Sequence, residues 1–302
     1  MSRGGPSSPA TEVPGLIGGQ AVIEGVMMRS PHWAATAVRR PSGDVQTVPQ
    51  RLDSLLVRFR WLRAPILRGI VILYEAVRLG IQALLISANI AQGTDTPLTA
   101  RQVATSVMLG LGLAIGLFFV LPTVAVRFVD RSLPSPLLLN LVEGALRVTI
   151  VIGYLFAIGR LPELSRVFAY HGAEHKAVNA YEAGQPLEVA AARTQSRFHP
   201  RCGTSFILVV MLVALLVFTF LGRPTLVVRI ISRVALIPVL AGVSYEIIRA
   251  GARSRWFRPA IVPGLWLQHL TTREPDDAQL EVAIRALREV VARERDAIIN
   301  SA

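Results

Sequence analysis

From Val103 to Val126 the chain carries no charged residue, and Arg101 and Arg127 bracket the run. At about 1.5 Å per residue a helix of that length crosses a hydrocarbon core of ~30 Å. A chain with such a run must bury it in lipid or in a core of its own. Three further apolar stretches decide for lipid: 137–159, 204–221 and 226–248. Charged residues are 17% of the chain, against about 25% in soluble domains, and the deficit is concentrated in these runs. The expected fold is an all-α polytopic membrane protein with about four transmembrane helices. In the second span Glu143 and Arg147 are four apart and share a face, where they can pair. Arg229 and Arg233 near the start of the fourth span, and Glu246 near its end, are placed to snorkel to the interface.

The rest of the chain surrounds this bundle. Residues 1–14 are Ser/Gly/Pro-rich and read as disordered, without the apolar core of a signal peptide. Residues 15–50 read as a small β-rich element, with a turn at Pro41-Ser42-Gly43-Asp44. Its Gly18-Gly19-Gln20 start lacks the Lys-Ser/Thr of a phosphate-binding P-loop. Residues 51–92 read as amphipathic helices. Arg68, Glu75 and Arg78 fall in one stripe, which favours an interfacial or re-entrant helix over a span. The tail, 249–302, ends in a helix with Asp276 and Asp277 at its positive end and an apolar stripe of Leu280, Ile284, Leu287 and Val291.

The formal net charge is +12. The arginines sit beside the apolar runs, as Arg249, Arg253, Arg255 and Arg258 do, which is the placement of cytoplasmic anchors and not of a nucleic-acid surface. The loops 127–136 and 222–225 are poor in Lys and Arg, while 160–203 and the tail are rich. Both termini and the 160–203 loop are therefore expected in the cytoplasm, the chain lying in the inner membrane of a bacterium. Cys202 is the sole cysteine, so no intrachain disulfide exists.

The candidate chemistry lies in that loop. Pro162-Glu163 reads as a helix start and Gly184 as its stop. On this helix His171 and His175 are four apart, so both imidazoles project from one face and can grip one metal ion. Glu174 borders the same face, as a general base or an outer partner. The order H-x-x-E-H is that of inverzincin hydrolases. Downstream, His199 and Cys202 can complete a His3Cys set, which suits zinc or another divalent metal. Three ligands leave a place for water and make a catalytic site; four make a closed structural one. The spacing leaves both open. Arg193, Arg197 and Arg201 beside His199 read as cytoplasmic topogenic charge.

The segments Gly19–Arg29, His171–Lys176, His199–Phe206 and Pro263–Gln268 together resemble the YqhQ-like family of bacterial membrane proteins. The resemblance spans nearly the whole chain after its start. It implies a metal-dependent enzyme of unspecified reaction, and it adds Glu24 and Arg29 as secondary site candidates. Two functions follow. One is a membrane-embedded metal hydrolase at the cytoplasmic interface, acting on a peptide or a lipid ester with Glu174 as base. The other is a non-enzymatic scaffold or assembly factor with a structural zinc. A transporter is disfavoured, since the spans lack paired Gly/Pro breaks with convergent polar groups.

Overall fold

The computed structural model describes residues 17–93, 99–253 and 262–299. The expectation of disorder over 1–14, and Arg255 and Arg258, lie outside these residues. The chain opens with a four-stranded antiparallel meander, β1 (Gly18–Val22), β2 (Gly25–Arg29), β3 (Trp33–Arg39) and β4 (Val45–Arg51), in the order β1-β2-β3-β4. The helices follow as α1 (Leu55–Arg58), α2 (Leu67–Gln92), α3 (Ala100–Ile115), α4 (Leu121–Val126), α5 (Pro136–Ile158) and α6 (Pro162–Glu182). Then come α7 (Val189–Arg193), α8 (Gly203–Thr219), α9 (Leu226–Ala235), α10 (Ile237–Arg253), α11 (Val262–Thr271) and α12 (Asp277–Ile299).

The sheet is covered on both faces. Side chains alternate along each strand. Val22, Met27 and Ala34 point one way, onto Leu79 and Ala83 of α2. Val26, Met28, Ala35 and Ala37 point the other way, onto Tyr170, Ala173 and Ala177 of α6 and Ala283, Ile284 and Leu287 of α12. This sandwich explains why β2 and β3 read as continuous small or apolar runs instead of alternating with polar residues. The stripe of the terminal helix is buried as its spacing predicts. Asp276 caps that helix, accepting from the Gln279 N–H at 2.8 Å.

Three described helices are long and apolar enough to cross a membrane: 67–92, 101–126 and 136–158. The 101–126 helix joins α3 to α4 through a π-helical turn at Gly116–Val120. α9 and α10 make a fourth if the pair is one span, bent by 46°. α8, with 17 residues, is shorter. α2 is one unbroken helix with two kinds of neighbour. Its start packs on α10, where a Cβ at Gly69 would stand 2.9 Å from Gly242 Cα and Arg68 pairs with Glu246. Further along, a Cβ at Gly80 would stand 2.7 Å from the Gln20 amide of β1.

The Glu143–Arg147 pair is present, at 2.8 Å. Arg229 and Arg233, however, do not snorkel. Both are buried, and the Arg233 side chain is 0% exposed. Arg233 Nε donates to Glu143 at 3.0 Å and its Nη2 to Asn140 at 2.8 Å. Arg147 Nε donates to the Phe118 carbonyl at 2.9 Å, inside the π turn, where the regular helix ladder is interrupted. Acceptors at the same depth keep these guanidinium groups inside. Arg229 likewise faces Asp130, at 3.9 Å.

Candidate functional site

α6 begins at Pro162 and stops before Gly184, whose φ of +64° is left-handed, as the sequence signals indicate. Its midpoint is crossed closely by the segment between α11 and α12. A Cβ at Gly172 would stand 2.1 Å from the Arg273 carbonyl oxygen, and the Arg273 N–H donates to the Phe168 carbonyl at 2.8 Å. The glycine after His171 is thus what lets the chain pass here.

That crossing sets the imidazoles. His171 Nδ1 lies 2.8 Å from the Thr271 carbonyl, and His175 Nδ1 lies 2.6 Å from that of Arg197. A carbonyl only accepts, so each Nδ1 carries a hydrogen, and in the neutral ring each Nε2 keeps its lone pair. His171 Nε2 lies 3.2 Å from Cys202 Sγ. One ligand atom from each of His171, His175 and Cys202 lies within 4.8 Å of the other two. Cys202 is the N-cap of α8: its sulfur accepts from the Thr204 N–H at 3.4 Å and lies 3.1 Å from the Thr204 hydroxyl.

Glu174 stands beside this trio. Its carboxylate is 3.6 Å from His175 Nε2 and 4.0 Å from His171 Nε2. Burial pushes its carboxyl up to about 7, against the opposing pull of His171 and of a hydrogen bond from the Gly19 main chain. A Cβ at Gly19 would stand 2.7 Å from Glu174 Cγ. The Gly-Gly start of β1 therefore lays bare backbone on the carboxylate.

His199 is buried nearby but turned elsewhere. Its ring centroid is 5.7 Å from that of His175, and its Nε2 is 3.5 Å from Glu182. The Gln268 side chain grips its main chain at both ends, accepting from the N–H at 2.9 Å and donating to the carbonyl at 2.8 Å. Burial, helped by Arg201 and His175, holds the imidazole below its ordinary pKa, against Glu182. Arg201 and Arg193 are themselves paired, with Glu182 and Asp277.

Glu24 and Arg29 are also placed apart from the trio. Glu24, at the tip of the β1–β2 hairpin with φ +50°, accepts from Arg166 at 2.7 Å and from the Tyr170 hydroxyl at 3.3 Å. The Arg166 hydrogen bond holds its carboxyl below the usual range, although partial burial opposes it. This strut fixes the hairpin to α6 just ahead of His171. Gly19 pairs with Met28, whose side chain faces α6. Arg29, the next residue, therefore faces the opposite side of the sheet from Glu174.

Gly19, Arg197, Gln268 and Thr271 are the contributors that the residue types did not reveal. Gln268 ends one of the motifs that carry the family resemblance. Arg197 and Thr271 act through main-chain carbonyls, which no side chain encodes.

These features define a class: a helical protein with several membrane-length apolar helices and a two-faced sheet, in which α6, the start of α8, the end of α11 and β1 meet at an imidazole–thiol cluster. The chain belongs to the DUF1385 family, whose model, described as a protein of unknown function, matches residues 64–293. It is 36% identical to "Uncharacterized protein YqhQ" of Bacillus subtilis (strain 168) over 301 residues, covering 93% of each chain. No solved structure matches it.

Proposed function

We propose that the protein is a multi-pass protein of the bacterial inner membrane that holds a divalent metal, zinc by its ligand chemistry, and acts as a hydrolase at the cytoplasmic interface. The observation that carries the reading is the paired Nδ1-to-carbonyl hydrogen bonds of His171 and His175, which turn two lone pairs toward one thiol. Metal-ligating histidines are oriented in this way. His171, His175 and Cys202 would hold the ion. Three protein ligands with a carboxylate alongside match the arrangement of catalytic zinc sites, which keep one position for water or substrate. The ion would supply Lewis acidity. Glu174, its carboxyl raised by burial, would accept and return the proton, and the Gly19 N–H would orient it. A peptide bond or a lipid ester close to the membrane is the substrate class.

The topology supports this placement. The 127–135 and 222–225 connections meet, Arg223 donating to the Leu133 carbonyl at 2.5 Å and Asn140 to that of Gly222 at 3.2 Å. They belong on one side of the bilayer, with the sheet, α6 and α12 on the other. α2 packs near its start on the middle of α10, at Gly242 and Glu246, and later on the sheet. We read it as lying along the interface, which leaves four spans: α3–α4, α5, α8 and α9–α10.

A structural zinc in a scaffold protein is the second reading. It is favoured by the burial of Cys202 and His175 and by the four segments that the cluster ties together. Metal analysis of purified protein, with Glu174→Gln tested for complementation of a deletion strain, separates the two. Glu174→Gln with metal retained and function lost supports catalysis. Metal retained with full function leaves the scaffold. Wild-type protein without stoichiometric metal sinks both.

A further inference from the structure

On the far side of the sheet from the cluster, a cleft of about 300 Å³ opens between α2 and the ends of β2 and β4. Arg29 of β2 and Arg78 of α2 line it, and Arg51, paired with Trp33 on the other face of the sheet, borders it at the end of β4. The register places Arg29 beside Ala34, and Ala34 beside Gln50. That row faces α2, and Gln50 meets Gln82 across the gap at 3.1 Å. Among the described residues none of the three guanidinium groups has a hydrogen bond, an ion pair or an aromatic ring contact. The Glu75 carboxylate at the rim is already engaged, accepting from the Leu55 N–H at 2.6 Å and from the Ser54 hydroxyl at 3.1 Å. Glu75 keeps its charge, so it and Asp53 balance two of the three cations and the lining is left with one positive charge in excess. A group of guanidinium forks around one concavity is a receptor for a phosphate or carboxylate anion.

The neighbouring segment indicates where the anion comes from. Directly after the cleft wall, residues 57–63 interleave Arg58, Arg60 and Arg63 with exposed apolar side chains. Val57 is 67% exposed, Trp61 is 68%, and Phe59 is also exposed. Tyr74 lies exposed on α2. Arginine alternating with exposed aromatic residues marks the membrane–water interface. Leu52, Ile72 and Leu79 give the cleft an apolar wall suited to the glycerol backbone behind a headgroup.

We propose that this cleft binds the headgroup phosphate of an anionic phospholipid, anchoring α2 and the sheet to the cytoplasmic leaflet. The proposal rests on the membrane reading above but not on the metal. Arg29, which the family resemblance groups with the cluster, acquires a separate role: it holds the lipid on the opposite face of the sheet.

The test uses full-length protein in nanodiscs of phosphatidylcholine, with or without phosphatidylglycerol, read by unfolding midpoint and by native mass spectrometry. Phosphatidylglycerol should raise the midpoint and remain bound as one retained lipid. Arg29→Gln/Arg78→Gln should lose both effects, while Arg58→Gln/Arg60→Gln/Arg63→Gln keeps the retained lipid. If the double variant does not fold, Arg78→Gln alone, on the α2 wall of the cleft, should weaken retention. Retention unchanged in the cleft variants overturns the proposal. So does a midpoint shift reproduced by inorganic phosphate in phosphatidylcholine discs, which would assign a free anion. Release of the chain from membranes by carbonate would instead sink the membrane reading. A chain that resists carbonate but ignores phosphatidylglycerol sinks the lipid site only.

Discussion

His175 Nδ1 lies 2.6 Å from the carbonyl oxygen of Arg197, and this contact couples the His-x-x-Glu-His helix to the loop that leads into Cys202. A shift of the loop would disturb the imidazole, so on the proposed metal reading the three candidate ligand atoms act as one unit. His171→Ala, His175→Ala and Cys202→Ser should each abolish stoichiometric zinc in purified protein. His199→Ala, whose ring faces Glu182, should retain it. Elemental analysis of the four variants checks this, and loss of metal in His199→Ala would show that His199 swings in to ligate.

Gly19 and Gly172 hold the backbone close to the site. A methyl at Gly19 meets Glu174 Cγ and the Met27 carbonyl, both at 2.7 Å, and one at Gly172 meets the Arg273 carbonyl at 2.1 Å. Carbonyl oxygens of a strand and a crossing segment yield less readily than side-chain ends. Each Gly→Ala change should cost about 1–3 kcal/mol, as overpacking does. Gly172→Ala should cost the more and lower zinc affinity as well, because it pushes Thr271 away from His171. Thermal unfolding and a zinc competition assay measure the two effects.

The parts legible in the sequence are those with a period or a spacing. The uncharged run before Arg127, the stripe from Leu280 to Val291 and the i,i+4 histidines each announce a helix face. The sheet was legible mainly through its turn, since burial on both faces removes the alternation that marks a strand. His199 illustrates a different limit. Three residues from Cys202, it has ligand chemistry and ligand spacing, but the Gln268 amide holds its main chain so that the ring meets Glu182. Arg233 was legible as a charge near a helix end and not as the partner of Glu143, because that pairing joins two helices far apart in the chain.

Glu294 gives a pH signature. It is buried on α12, and burial alone would raise its carboxyl. Hydrogen bonds from the Ser30 hydroxyl at 2.6 Å and the His32 N–H at 3.1 Å, with the His32 ring, outweigh this and hold it below its ordinary value of 4.5. A carboxyl depressed in the folded state stabilises it above the unfolded pKa. That stability is lost as pH falls through the folded pKa. The unfolding midpoint of the wild type should therefore drop on acidification below about 4.5, and Glu294→Gln should show a smaller drop from a lower starting point. Equal acid sensitivity in the two proteins would remove Glu294 from this role.

Glu143 is the one carboxylate between Arg147 and Arg233, with the Thr123 hydroxyl donating to it at 2.9 Å. Two buried guanidinium groups share it, so its loss leaves both cations without this counter-charge. Breaking a buried pair from one side costs about 3–5 kcal/mol, whereas replacing it with well-packed apolar groups is often neutral. Glu143→Gln should accordingly lower the unfolding midpoint in detergent by far more than a surface substitution. Adding Arg233→Met to Glu143→Gln removes one of the two stranded cations and should recover part of the loss, although Asn140 then also loses its donor. The double variant should be more stable than Glu143→Gln alone. If it is less stable, Arg233 holds α9 to α5 through its Asn140 contact and its packing on Phe218, 4.5 Å from the ring centroid, and not through the carboxylate.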